Sequence, residues 1–275
     1  MTVPQPPLPD QRAGGVFFSH IDTPRVRGHF ARLAAESAPW VQWRLVFNRS
    51  RFVDLDSDLA IADPATVLPQ RHAQMLRNDG VQRGLLDAAM LPCLLALPQP
   101  QVWFMEYDVD FAGNWADLFS QYHAEPADLL SSSLRPRDRD IEWFHWQQVS
   151  APAAVDPHLF CRGFHPLIRV SRTLALAYQH AVADPAWAGH YEFILPTVAA
   201  VCGLRTLDLA RRPGQRLARN YLNTPSAPFL APGTYVWRPA RPAYFHEDPA
   251  SFELPNLLYH PIKTDNEAWG RRDDA

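Results

Sequence analysis

Residues 102–111 read Val-Trp-Phe-Met-Glu-Tyr-Asp-Val-Asp-Phe, an apolar run that ends in an Asp-x-Asp pair. If the run is one strand, its side chains alternate between faces. Glu106, Asp108 and Asp110 then project to one side, and Met105, Tyr107 and Val109 to the other. Three carboxylates on one face repel each other and resist burial unless something positive compensates them. A divalent cation with oxygen ligands suits Asp-x-Asp best. The alternative is an acidic turn left in water. Glu106 has three readings of its own: contact with a nucleotide, membership of a metal shell, or pairing with an arginine.

The elements that must position these groups follow from pattern. Residues 15–21 form a short buried-strand pattern, and Thr23-Pro24 opens a helix to about Ser37, with Thr as N-cap and Pro in the first turn. Residues 40–47 alternate as a second strand, followed by a polar loop holding Asp54, Asp56 and Asp58. A helical stretch over 69–97 leads into the Asp-x-Asp strand. Gly113-Asn114-Trp115 ends that strand, and a helix to about Tyr122 and a short strand at 127–131 come next. Further helices are expected over 169–178, with a Ser cap, and over 192–202, then a late strand at 204–209. The aromatic-dense segment 142–146 reads as a core cluster or as a platform for apolar sugar faces. Strands alternating with helices indicate an α/β sheet covered by helices, and such sheets bind ligands outside the carboxyl ends of their strands. Asp108 and Asp110 sit at such an end.

Composition removes several function classes. A net charge of −3 gives no general attraction to nucleic acid or anionic lipid. Cys93, Cys161 and Cys202 are far apart and form no C-x-x-C, which fits a reducing compartment and no disulfide or zinc framework. No secretory signal opens the chain. The longest apolar stretch, residues 88–97, carries Pro92 and is too short to span a bilayer. A cytoplasmic protein without a transmembrane segment is expected. Phosphate-loop, dinucleotide, H-E-x-x-H and G-x-S-x-G motifs are absent.

Four features in order, Asp108-Val-Asp110, Gly163 in Cys-Arg-Gly-Phe-His, Glu192 in Gly-His-Tyr-Glu-Phe and His260 in Tyr-His-Pro-Ile-Lys263, resemble the glycosyltransferases of the GT-A fold. The likeness covers roughly residues 15–263, and the Asp-x-Asp is its one sharp motif. It implies an α/β, Rossmann-like central mixed sheet flanked by helices. It also implies a nucleotide-sugar donor, most often a uridine diphosphate sugar, held through Mn²⁺ or Mg²⁺. In those terms Asp110, Asp108 and His260 are the metal residues, and Asp108, Gly163 and Lys263 face the donor. Asp22, in the loop after the first strand, joins them where the nucleotide would sit. Glu192 is the candidate for activating an acceptor hydroxyl, with His190 as a second candidate base. Inverting members usually carry Glu-Asp at this point. The chain has Glu192-Phe193, so stereochemistry stays unassigned.

Two other classes remain open on the sequence. A glycoside hydrolase or other metal-assisted hydrolase can use Glu106, Asp108 or Glu192. A sugar-binding, transferase-like module without catalysis would keep the acidic pair for structure. The expected organisation is a disordered Pro-rich tail over 1–14, one domain over 15–263 and a polar tail over 264–275. Residues 224–263 are read as an irregular Pro-rich arm with one short strand at 234–237.

Overall fold

The computed structural model describes residues 6–8, 11–81, 84–209 and 258–260. The tail expected over 264–275 lies wholly outside these residues, as does half of the one expected over 1–14, whose last two residues, Ala13 and Gly14, belong instead to the first strand. Lys263 and nearly all of the Pro-rich arm, including the strand expected at 234–237, also lie outside the described residues.

The described elements run β1 (Ala13–Ser19), α1 (Pro24–Ser37), β2 (Val41–Asn48), β3 (Leu55–Asp56), α2 (Pro64–Val67), α3 (Pro69–Arg77), α4 (Asp87–Ala96) and β4 (Gln101–Glu106). They continue with β5 (Asp110–Phe111), α5 (Trp115–Tyr122), β6 (Leu129–Pro136), β7 (Cys161–Ser171), α6 (Arg172–Ala181), α7 (Tyr191–Val201), β8 (Thr206–Asp208) and β9 (Leu258–Tyr259). Seven strands form one mixed sheet in the order β3-β2-β1-β4-β7-β6-β8, while β5 and β9 make a separate two-stranded sheet. Strand β1 pairs in parallel with β2 and β4, and β6 with β8; β7 runs antiparallel to both of its neighbours. The expected α/β architecture, a mixed sheet flanked by helices, is therefore present. No helix among the described residues is long and apolar enough to cross a membrane.

Alternation in the central strands feeds two cores. Val102 and Phe104 of β4 pack with α4, α6 and α7, whereas Trp103 and Met105 pack with α1 and α5 on the opposite face. Local chemistry sets the helix starts. The Thr23 hydroxyl accepts from the Val26 amide with Pro24 in the first turn of α1, and Asn114 accepts from the Ala116 amide to open α5.

Three expectations are corrected. The strand expected over 102–111 stops at Glu106, because Tyr107 and Asp108 turn the chain and Asp110–Phe111 leave to pair with Leu258–Tyr259. The acidic residues therefore do not share one strand face. The helical stretch over 69–97 is cut between α3 and α4, where Asp79 and Gly80 take left-handed backbone angles (φ 61° and 125°) that no helix interior accepts. Arg169 to Ser171 belong to β7, and the helix expected over 169–178 begins only at Arg172. Ser171 is nevertheless its cap, accepting from the Leu174 amide at 3.0 Å.

Strand β7 also carries the largest irregularity of the sheet. Between the pairs Leu130–Arg169 and Ser132–Phe164, β6 advances two residues while β7 advances five. Four residues, His165 to Ile168, thus face the single Ser131 of β6, while Leu167 and Ile168 stay paired with β4 on the other side. Buried Ser133, on the facing strand, sits at φ 52°. Bulges of this kind re-aim side chains beside functional sites, and here the re-aimed residue is His165.

Candidate cation and acid–base site

Strand β4 ends in the middle of the sheet, and the chain turns there with Glu106 and Asp108 on either side of Tyr107. The Tyr107 amide still donates to Phe18 O at 2.9 Å, which ties the turn to the end of β1. Across the turn, β9 brings in His260, whose Nε2 lies 3.4 Å from Asp108 Oδ1. Glu106, Asp108 and His260 each offer a ligand atom within 4.8 Å of the other two. Asp108 is only 3% exposed. Two carboxylates and an imidazole form an oxygen-rich donor set that suits Mn²⁺, and Mg²⁺ less well. Burial of one of those carboxylates raises the cost of leaving the group without a positive charge. The residues fit a divalent cation.

A second titratable group lies on α7. Glu192, in the first turn, accepts from the His165 amide at 3.3 Å. Burial pushes its carboxyl up to about 7, against smaller downward pulls from Arg162 and the His165 amide. The carboxyl therefore exchanges its proton near neutrality, where a general base is most effective. Arg162 is itself held by Asp140 and lies over the Trp143 ring, 6.0 Å from its centre.

His165 adjoins this group. Both Ser131 and Ser132 give their hydroxyl protons to Phe164 O at 3.0 Å. Ser131 Oγ also lies 2.7 Å from His165 Nδ1, a hydrogen bond whose direction follows the imidazole tautomer. The His165 Nε2 is buried and has no hydrogen-bond partner among the described residues. Burial holds the ring neutral, with its pKa lowered to about 3.

The chain matches no family model and no curated protein.

The remaining sequence candidates fall in different places. Asp110 lies outside the cation group: its carboxylate is ion-paired with Arg32, accepts from the Phe111 amide at 2.6 Å and has His29 Nδ1 at 3.7 Å. Asp22 is tied on its own helix end by Arg27, at 2.6 and 2.7 Å, on the exposed surface. Gly163, expected in a donor-facing loop, is inside β7. A Cβ there would collide with the His165 ring, so the glycine makes room for that imidazole. His190 is the N-cap of α7: its Nδ1 accepts from the Glu192 amide at 3.3 Å, and burial together with the nearby His145 holds its pKa well below the ordinary histidine range. The same nitrogen lies 3.6 Å from Glu192 Oε2. Lys263 lies outside the described residues.

Sequence reasoning brought Asp108, His260 and Glu192 into view and left Glu106 with three readings. It did not find His165, Arg162, His29 or Arg32. For His29 and Arg32 a signal existed: with Glu36 they stand at spacings of three and four, one face of a helix.

Proposed function

We propose that this protein is a metal-dependent glycosyltransferase of GT-A type, moving a sugar from a nucleoside diphosphate sugar, with uridine diphosphate as the favoured carrier, to an acceptor hydroxyl. The reading is carried by one observation: Glu106, Asp108 and His260 converge at the carboxyl end of a central strand. Glu192, whose carboxyl titrates near 7, stands on the helix packed against the neighbouring strand.

In this reading Glu106, Asp108 and His260 hold the cation. When bound, that ion supplies Lewis-acid compensation for the charge developing on a departing diphosphate. The acceptor is handled by Glu192. As the new carbon–oxygen bond forms at the anomeric carbon and the bond to the diphosphate oxygen breaks, the acceptor's hydroxyl proton passes to the Glu192 carboxylate. The backbone amide of His165 and the Arg162 charge keep enough of that carboxyl ionised to act. The loop after β1 lies beside this region, with His20 edge-on to Tyr107 at 5.0 Å, and it offers the nucleoside an aromatic wall.

A thermal-shift panel of nucleoside diphosphates and their sugars, with and without Mn²⁺, tests the reading. At a hundredfold excess over Kd, one ligand adds about 2.7 kcal/mol, which raises Tm by roughly 5–10 °C in a chain of this size. The rise is expected only when nucleotide and metal are present together, and it should vanish in Asp108→Asn. No response to any nucleotide, combined with release of sugar from aryl glycosides, would replace this proposal with a hydrolase.

A further inference from the structure

Asp110 belongs to the most conspicuous motif of the chain, yet its surroundings are not those of a metal ligand. One face of α1 reaches the acidic segment at three successive points. His29 Nε2 donates to Val109 O at 2.8 Å, Arg32 takes the Asp110 carboxylate, and Glu36 Oε2 accepts from the Trp115 amide at 3.0 Å. Arg32 also lies 3.7 Å from Glu36 and 5.9 Å from the centre of the Trp115 ring, so the clamp is continuous. The Asp110 Oδ1 atom is shared between Arg32 and the Phe111 amide, and Oδ2 faces His29. Turning this buried carboxylate toward a cation would break its ion pair with Arg32.

Strand β5, which the clamp fixes, is the strand on which β9 docks. Asp110 stands opposite Tyr259 and Phe111 opposite Leu258, so the next residue of β9 is the His260 that meets Asp108. Strand β9 has no other strand partner among the described residues. We infer that Asp110 is a positioning residue: held by Arg32 and the Phe111 amide, with His29 fastening the neighbouring Val109 carbonyl, it fixes β5, and through the β5–β9 pairing it sets His260 against Asp108, while Glu106 stands in the cation group. The effect on the ion is therefore indirect, two strands removed from the carboxylate itself. The inference rests on the cation reading given above and specifies how that site is built.

The test is Mn²⁺ titration of the full chain, with folding and stability of each metal-free variant checked in parallel. Outer partners of a metal site typically change affinity by about 10–100-fold. Arg32→Met and Asp110→Asn should each weaken Mn²⁺ by that factor, and the double variant should be no weaker than the poorer single. Glu106→Gln and Asp108→Asn should abolish uptake. The decisive measurement is the coupling between Arg32 and His260. His260→Ala should weaken Mn²⁺ in the wild-type background and have little further effect in Arg32→Met, because the imidazole is already misplaced there. A purely structural role for Arg32 would lower stability and leave the two losses additive, and additivity overturns the inference. Equally, unchanged or tighter binding in Arg32→Met with complete loss in Asp110→Asn makes Asp110 a ligand and overturns it. Should Arg32→Met fold poorly, Asp110→Asn, which keeps the side-chain shape, carries the same comparison against His260→Ala. If the unsubstituted protein takes up no Mn²⁺, the cation reading itself falls and the inference with it. Wild-type uptake with additive losses removes only the inference.

Discussion

Asp87 and Asp108 are both buried carboxylates, at 0% and 3% exposure, but their neighbours differ in kind. Asp87 faces Arg71 through two bonds of 2.5 and 2.8 Å and accepts a third from the Tyr178 hydroxyl at 2.6 Å. Arg71 spends its other donors on Gln74, Gly84 O and Gly189 O. The Tyr191 amide also donates to Gly84 O, so this closed network supports the start of α7. Asp108 instead stands in a group of two carboxylates and a histidine, gathered within 4.8 Å. Opposite charges matched to the last donor describe an anchor. Two carboxylates gathered with a histidine form a donor set suited to a positive guest.

The sharpest way to break that contrast is to remove one side of each group. Arg71→Met leaves Asp87 buried without its cation and should cost about 3–5 kcal/mol in urea unfolding. Asp108→Asn should cost less than that in metal-free stability while abolishing Mn²⁺ uptake. Equal destabilisation by both would remove the distinction. Next in size is Glu192→Gln, which should lower turnover by about 10²–10⁴-fold. It should also remove the rise of kcat/KM with pH centred near 7 that deprotonation of Glu192 predicts.

A smaller effect is expected in stability against pH. His165 is lowered to about 3, and His190 and His29 are also lowered, each mainly by burial. The unfolded chain therefore binds protons that the folded one refuses, and stability falls as pH drops from 6.5 toward 3. Each group contributes about 1.4 kcal/mol per pH unit within its window. Glu192, raised to about 7, acts with the opposite sign: its contribution is full below 4.5 and lost between 4.5 and 7. Three histidines against one carboxyl leave a net loss on acidification, and His165→Gln should flatten the slope of the unfolding free energy by about one group. An unchanged slope would show that the buried imidazole is protonated in the native protein. The smallest expected change is Gly163→Ala, about 1–3 kcal/mol, since the ring of His165 must shift to admit a methyl group.

Much of the frame was legible because it is written locally. Thr23-Pro24 and Ser171 mark helix starts by their own hydrogen bonds, and the 3.6 and 2.0 periods separate α1 from its flanking strands. Strand β7 was not legible. Its sequence holds Gly163 and Pro166, residues that argue against a strand, and they are tolerated because the ladder bulges there. The break between α3 and α4 was signalled by Asn78-Asp79-Gly80 and outweighed by the apolar stripe around it. At the site, Asp108, His260 and Glu192 could be named from residue type and order. Whether Asp110 or Glu106 joined them depended on where the strand ended and on what α1 offered to the residues after it. Those are tertiary facts that no window of the sequence contains.

The pairing of Asp110 with Tyr259 joins positions almost 150 residues apart. Closing so large a loop is entropically slow, and the seven-stranded sheet has ample contacts of its own to form before it. The cation group should therefore be completed late, and the delay between regaining ellipticity and regaining full Mn²⁺ affinity in a refolding experiment would time the arrival of β9.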